Sequence, residues 1–162
     1  MLYSSIAKSF RLFFIASLIM ALAIRLAPVR AAHAATSTSD LAIELVSAPK
    51  TAKACQVFQA SFKITNLGPD EASSLFVNTS TPDQLGTLEI LGVPENLAAG
   101  ESVTITAIVK VVAFGPNDSR SAWVGAGVSS DPYPDTSLDP NWANNNVSGS
   151  LKLVGKPKGV CP

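Results

Sequence analysis

The sequence has one histidine, His33, and two cysteines, Cys55 and Cys161. His33 lies in an amino-terminal segment expected to be removed, so the remaining domain has no imidazole. That excludes histidine general acid–base catalysis, Ser–His and Cys–His nucleophile pairs and imidazole metal sites. Glycine-rich phosphate loops, nucleophile elbows and zinc-ligand spacings are missing as well. After Thr36 no stretch has both the length and the 3.6-residue period of a helix. Acidic pairs such as Glu89 and Glu95 could in principle serve glycoside hydrolysis, but nothing in the sequence draws two carboxylates into one cleft. A small secreted hydrolase is therefore the remotest reading. No catalytic residue is assigned, and the chain reads as a non-enzyme.

The amino end has the order of a secretory signal. Lys8 and Arg11 form a basic start, Leu12 to Ile24 is an unbroken apolar and small-residue run, and Ala32-His33-Ala34 offers a small-x-small cleavage site. The run is about 13 residues, and a spanning helix needs roughly 20. Arg25 and Arg30 make the region before the cleavage site long and basic, so an uncleaved amino-terminal anchor stays as the alternative. These features divide the chain into a signal over 1–35 and a single domain over 36–162 with a short tail. Cleavage removes Lys8, Arg11, Arg25 and Arg30, leaving eight cations against twelve acids and a net charge of −4. A mildly acidic surface argues against nucleic acid and against anionic membranes, and the domain itself is expected not to span a membrane.

From Asp40 onward apolar residues alternate. Leu41, Ile43 and Leu45 share one strand face. Phe58, Ala60, Phe62 and Ile64 share another, with Gln59, Ser61 and Lys63 opposite. Leu75 and Val77, the mixed run Leu85 to Leu91, Val103 to Val111, Ala122 to Val128, and Val147, Leu151 and Leu153 continue the series. Gly149 reads as a bulge. About seven short strands between turn signals predict an all-β, Ig-like antiparallel β-sandwich. Trp123 falls out of phase with Val124 and Val128, which places it on an outer face. The stretch Asn66-Leu67-Gly68-Pro69-Asp70 stops one strand abruptly. Gly68 tolerates a positive φ, Pro69 cannot donate to a ladder, and Asn66 and Asp70 can bond nearby amides, so this reads as a structural turn.

Four segments carry a family resemblance. "SDLAIELVSAP", "ITNLGPDEASSLFV", "LAAGESVTITAIVKV" and "DPNWANNNVSGSLKL" occur in this order between about Asp40 and Val154. In that order they resemble the bacterial Ig-like repeat known as domain of unknown function eleven, and the related CARDB domain, a cell-adhesion-related domain of bacteria. The resemblance implies an Ig-like sandwich outside the cell and implies no activity. Two departures stand out. The chain has one copy where relatives often have tandem repeats, and it has Ala54-Cys55 where the family usually has glycine.

Two cysteines in an exported protein usually pair. In a sandwich of alternating strand direction, the start of the second strand and the end of the seventh lie at one end. A Cys55–Cys161 disulfide is the expectation, with a catalytic or metal-binding thiol as the weaker reading. The segment "SSDPYPDTSLDPNWANNN" holds the other candidates. Asp131, Asp135, Asp139 and Asn141 could ligate calcium through oxygen, although the spacing matches no EF-hand and the prolines read as turn chemistry. Apart from calcium, no cofactor is expected. Tyr133 and Trp142, with Asp131, Asp135, Asp139 and Asn141, form a possible binding loop. The two aromatics either meet a ligand or tuck over the open end of the sandwich. Asn144 and Asn145 are expected to bond backbone where the last strand begins. Asn78-Thr79-Ser80, Asn117-Asp118-Ser119 and Asn146-Val147-Ser148 fit a glycosylation pattern that an Asn- and Ser-rich β protein also produces by chance.

These readings converge on a secreted or envelope-bound module that binds a surface protein or a polysaccharide. The alternative is a structural, self-associating envelope component. The processing step has a direct check. Intact mass of protein recovered from an exporting host is expected to begin near Ala35. A full-length mass would identify the retained anchor instead.

Overall fold

The computed structural model describes residues 38–112, 114, 115, 117–130, 139–155 and 161. The signal segment, Asp131, Tyr133 and Asp135 lie outside them. Among the described residues no helix is long and apolar enough to cross a membrane.

Alternation becomes strand wherever it was expected. The strands are β1 (Leu41–Ser47), β2 (Thr51–Lys53), β3 (Val57–Asn66), β4 (Phe76–Ser80), β5 (Leu85–Leu91), β6 (Ser102–Val111), β7 (Ser121–Ser129) and β8 (Asn146–Val154), with a one-turn 3-10 helix at Trp142–Asn144 before β8. They form two four-stranded sheets, ordered β1-β3-β6-β5 and β2-β8-β7-β4. The architecture is the Ig-like sandwich, with eight strands rather than about seven. The additional one is β2, which runs parallel to β8 with Ala52 opposite Leu153. Three residues with one buried side chain carry too little alternation to be recognised in the sequence.

The two inner faces build one core. Phe58, Ala60, Phe62 and Ile64 of β3 face the other sheet, and Ile105, Ala107, Val109 and Val111 of β6 continue that face. Ala122, Val124, Ala126 and Val128 of β7 and Leu151 and Leu153 of β8 pack against them. On β3 and β8 the intervening residues are polar or exposed, as a sheet with one wet face requires. β1 and β5 both carry a register shift, at Leu45/Ser47 and at Thr87/Glu89. Both are edge strands of their sheet, where bulges interrupt the row of free backbone groups.

Two glycines act differently from the sequence reading. Gly149 is no bulge, because β8 pairs with β7 in unbroken register from Asn146 to Lys152. Its missing side chain makes room for Leu45 of β1, whose Cδ2 occupies the space a Cβ would fill. Gly68 is not among the residues of positive φ. A Cβ there would stand 2.5 Å from the Asp40 amide nitrogen and 2.8 Å from the Thr38 carbonyl oxygen, so glycine lets the 38–40 segment lie directly on the corner. The corner is also not a tight reversal. It begins a crossing from the first sheet to the second, and Ala72 bridges Leu97 along the way.

The two collisions differ in kind, which sets a prediction. Gly68→Ala meets backbone and is expected to cost ~3 kcal/mol or more, whereas Gly149→Ala meets the tip of a side chain that can turn and is expected to cost ~1 kcal/mol. Urea denaturation of both variants checks the order. Equal losses would contradict it.

Candidate functional site

One end of the sandwich is organised by two buried asparagines. Asn66 closes β3 and has no exposed surface. Its Nδ2 donates to the carbonyls of Asp70 at 2.8 Å and Leu97 at 2.9 Å, and its Oδ1 accepts from the Gly68 amide at 3.0 Å. The side chain therefore joins the 67–70 corner to the connection between β5 and β6 with all its main hydrogen-bonding capacity used. Asp70 adds a bond from its Oδ2 to the Thr38 amide.

Asp139 does the same for the start of β8. Its Oδ2 accepts from the Leu41 amide of β1 at 3.0 Å and from Asn145 Nδ2 at 2.9 Å, and its Oδ1 accepts from the Asn141 amide at 2.9 Å. Asn144 Nδ2 donates to Asp40 Oδ1 at 3.1 Å. The side-chain amides of Asn144 and Asn145 thus meet carboxylates, not the backbone they were expected to bond. Carboxylates attract N–H donors more strongly than neutral carbonyls do, so these bonds are of the stronger type. The amide oxygens of both asparagines are buried and have no partner among the described residues.

On this clasp stands the short turn that carries Trp142, which is 41% exposed. Asn141 is exposed beside it. A hollow of about 410 Å³ lies at the same end, lined by Ala42, Lys63, Thr65, Leu67 and Asn144 among others. Of the expected binding loop, the structure brings together Asp139, Asn141 and Trp142. Among the described residues no three His, Cys, Asp or Glu side chains come together as a metal-binding group. Glu89 and Glu95 are both exposed, on β5 and in the connection after it.

The opposite end is covalent. Cys55 and Cys161 form a disulfide with Cα atoms 5.3 Å apart and a sequence separation of 106. Cys55 has φ 66°, in the left-handed region that favours glycine, and its amide donates to the Val111 carbonyl at 3.0 Å. Cys55 thus holds a glycine-like conformation and carries the sulfur tether from it. Nearby, the Arg120 guanidinium lies 4.9 Å above the Phe114 ring, which seals this end of the core.

No protein-family model matches the chain, and no curated protein matches it. Solved structures do. The CARDB domain of a Pyrococcus furiosus protein, determined in solution, matches with TM-score 0.53 and 18% identity over 73% of this chain and 97% of that domain. The crystal structure of the same domain in complex with di-metal ions matches with TM-score 0.53 and 19% identity, covering 72% and 90%. Salmonella alpha-2-macroglobulin reacted with methylamine matches with TM-score 0.51 and 21% identity, covering 70% of this chain and 7% of that one. At these identities the likeness is one of fold, and the fold is CARDB-like, as the four sequence segments led us to expect.

Two substitutions separate the two ends. Asp139→Ala leaves three N–H donors without their carboxylate and is expected to cost ~3 kcal/mol. Replacing both cysteines by serine is expected to cost up to ~4–5 kcal/mol, through the entropy of the opened loop. Denaturant midpoints measure both, and additive losses in the combined variant are expected because the sites share no partner.

Proposed function

We propose that the chain works outside the cytoplasm as a non-catalytic Ig-like binding module, with a surface protein or a polysaccharide as partner. One observation carries this reading. Trp142 stands exposed on a turn whose flanking residues are tied, through Asn145, Asp139 and Leu41, to the body of the sandwich. A large amphipathic ring held rigid costs little entropy to bury against a partner. The disulfide supports an oxidising compartment. Strand addition is the second available mode. Of the four edge strands, β1 and β5 are bulged and β2 has three residues, whereas β4 pairs with β7 in unbroken register.

Calcium at the same end is favoured by the bare, buried amide oxygens of Asn144 and Asn145, whose side chains bond the carboxylates of Asp40 and Asp139. The solved CARDB domain with di-metal ions adds to that reading. Native mass spectrometry with and without calcium tests it, and a metal-free mass in millimolar calcium would end it.

The binding reading is tested with mature protein on intact cells and on purified envelope polysaccharides. Saturable binding that falls at least tenfold in Trp142→Ala is expected. Unsaturable binding together with concentration-dependent self-association in sedimentation would favour the structural alternative.

A further inference from the structure

The outer face of the second sheet contains a trough that the sequence reading did not identify. β4, β7 and β8 lie side by side there, and their register sets two rows of residues across the face. Asn78, Gly127 and Asn146 form one row, and Ser80, Gly125 and Ser148 form the next. The asparagines and serines are exposed, while both glycines are buried between them. Trp123, 39% exposed, stands at one end, with its Cζ3 3.5 Å from where a Gly125 Cβ would be. The resulting trough has a volume of about 380 Å³.

Packing explains one glycine of this trough and leaves its polar walls without protein partners among the described residues. Gly125 is required by the sheet, since a Cβ there would stand 2.9 Å from the Val147 carbonyl oxygen and 3.2 Å from Ser148 Cβ, whereas a Cβ at Gly127 would meet only the tips of two side chains. The amide oxygens of Asn78 and Asn146 converge over Gly127, lying 2.6 Å and 2.5 Å from the point its Cβ would occupy. These two acceptors lie side by side over the strand, where donors can reach them from solvent. Finally, none of the four wall side chains makes a hydrogen bond among the described residues, and no charged residue lines the trough.

We propose that this trough binds a neutral oligosaccharide. Sugar hydroxyls above Gly127 would donate to the two amide oxygens, the amide N–H groups and the serine hydroxyls would engage their neighbours, and the face of Trp123 would receive the C–H side of a sugar ring. An uncharged lining suits a chain of hydroxyls and gives an acidic or phosphorylated glycan no counter-charge. The proposal rests on the reading of the domain as a binding module, and it uses a face distinct from the Trp142 end.

Calorimetry of the mature protein against cello-, xylo-, manno- and chito-hexaose tests it, alongside an extended apolar peptide as a probe of strand addition. At least one neutral hexaose is expected to bind saturably. Trp123→Ala is expected to weaken it at least tenfold. Gly127→Ala, whose methyl displaces only the two amide tips, is expected to do the same with an unchanged circular dichroism spectrum and melting temperature. Trp142→Ala is expected to leave hexaose affinity within twofold, which separates this face from the clasp end. The proposal is overturned if no hexaose binds, if binding survives both Trp123→Ala and Gly127→Ala, or if only the peptide binds. Loss of cell binding in Trp142→Ala with hexaose binding intact would leave both readings standing. Retained hexaose binding without any cell binding would remove the clasp-end reading alone.

Discussion

The Asn66 side chain is the constraint around which one end of the molecule is arranged. A sandwich must send its chain from one sheet to the other, and each crossing strips backbone groups of their ladder partners. Asn66 supplies the missing partners from a buried position, bonding Gly68, Asp70 and Leu97 at once. Because Leu41 lies opposite Asn66 in the β1–β3 pair, the start of β1 is held at the same place. Asp139 then reaches the Leu41 amide from the far side of the chain and brings in the start of β8. A buried polar group satisfied in this way specifies one arrangement of loops, since any other leaves amide groups dry and unpaired.

β3 therefore spans between two different kinds of fastening. At its Asn66 end the bonds are polar and directional. At its Val57 end, beside Cys55, the fastening is the disulfide. The first determines where exposed groups stand. The second works mainly on the unfolded chain, by restricting its conformations, and fixes little about surface shape.

Most of the fold was legible from side-chain parity, because alternation directly encodes which face of a strand is dry. Val103 to Val111 and Phe58 to Ile64 needed no further information. β2 was not legible, since a three-residue strand is defined by its neighbour β8 and not by its own pattern. Gly149 and Gly68 were read as backbone devices because sequence shows what a glycine permits but not what approaches it. Their true reasons, Leu45 and the 38–40 segment, are distant in the chain. The same limit hid the trough. Asn78 with Ser80, and Asn146 with Ser148, look like modification motifs along the chain. A spacing of two puts each pair on one strand face, and only the register across β7 sets the pairs opposite each other over Gly127.

The disulfide also determines how the molecule would carry tension. A pull applied between the amino side of the domain and its tail runs along the chain to Cys55, crosses the sulfur bridge to Cys161 and leaves. The chain between the two cysteines, which contains β3 through β8, lies off that load path. Only β1 and β2 stand on it, so extension is limited to peeling these two edge strands from β3 and β8. Six of the eight strands, including the three that form the trough, keep their covalent enclosure under load.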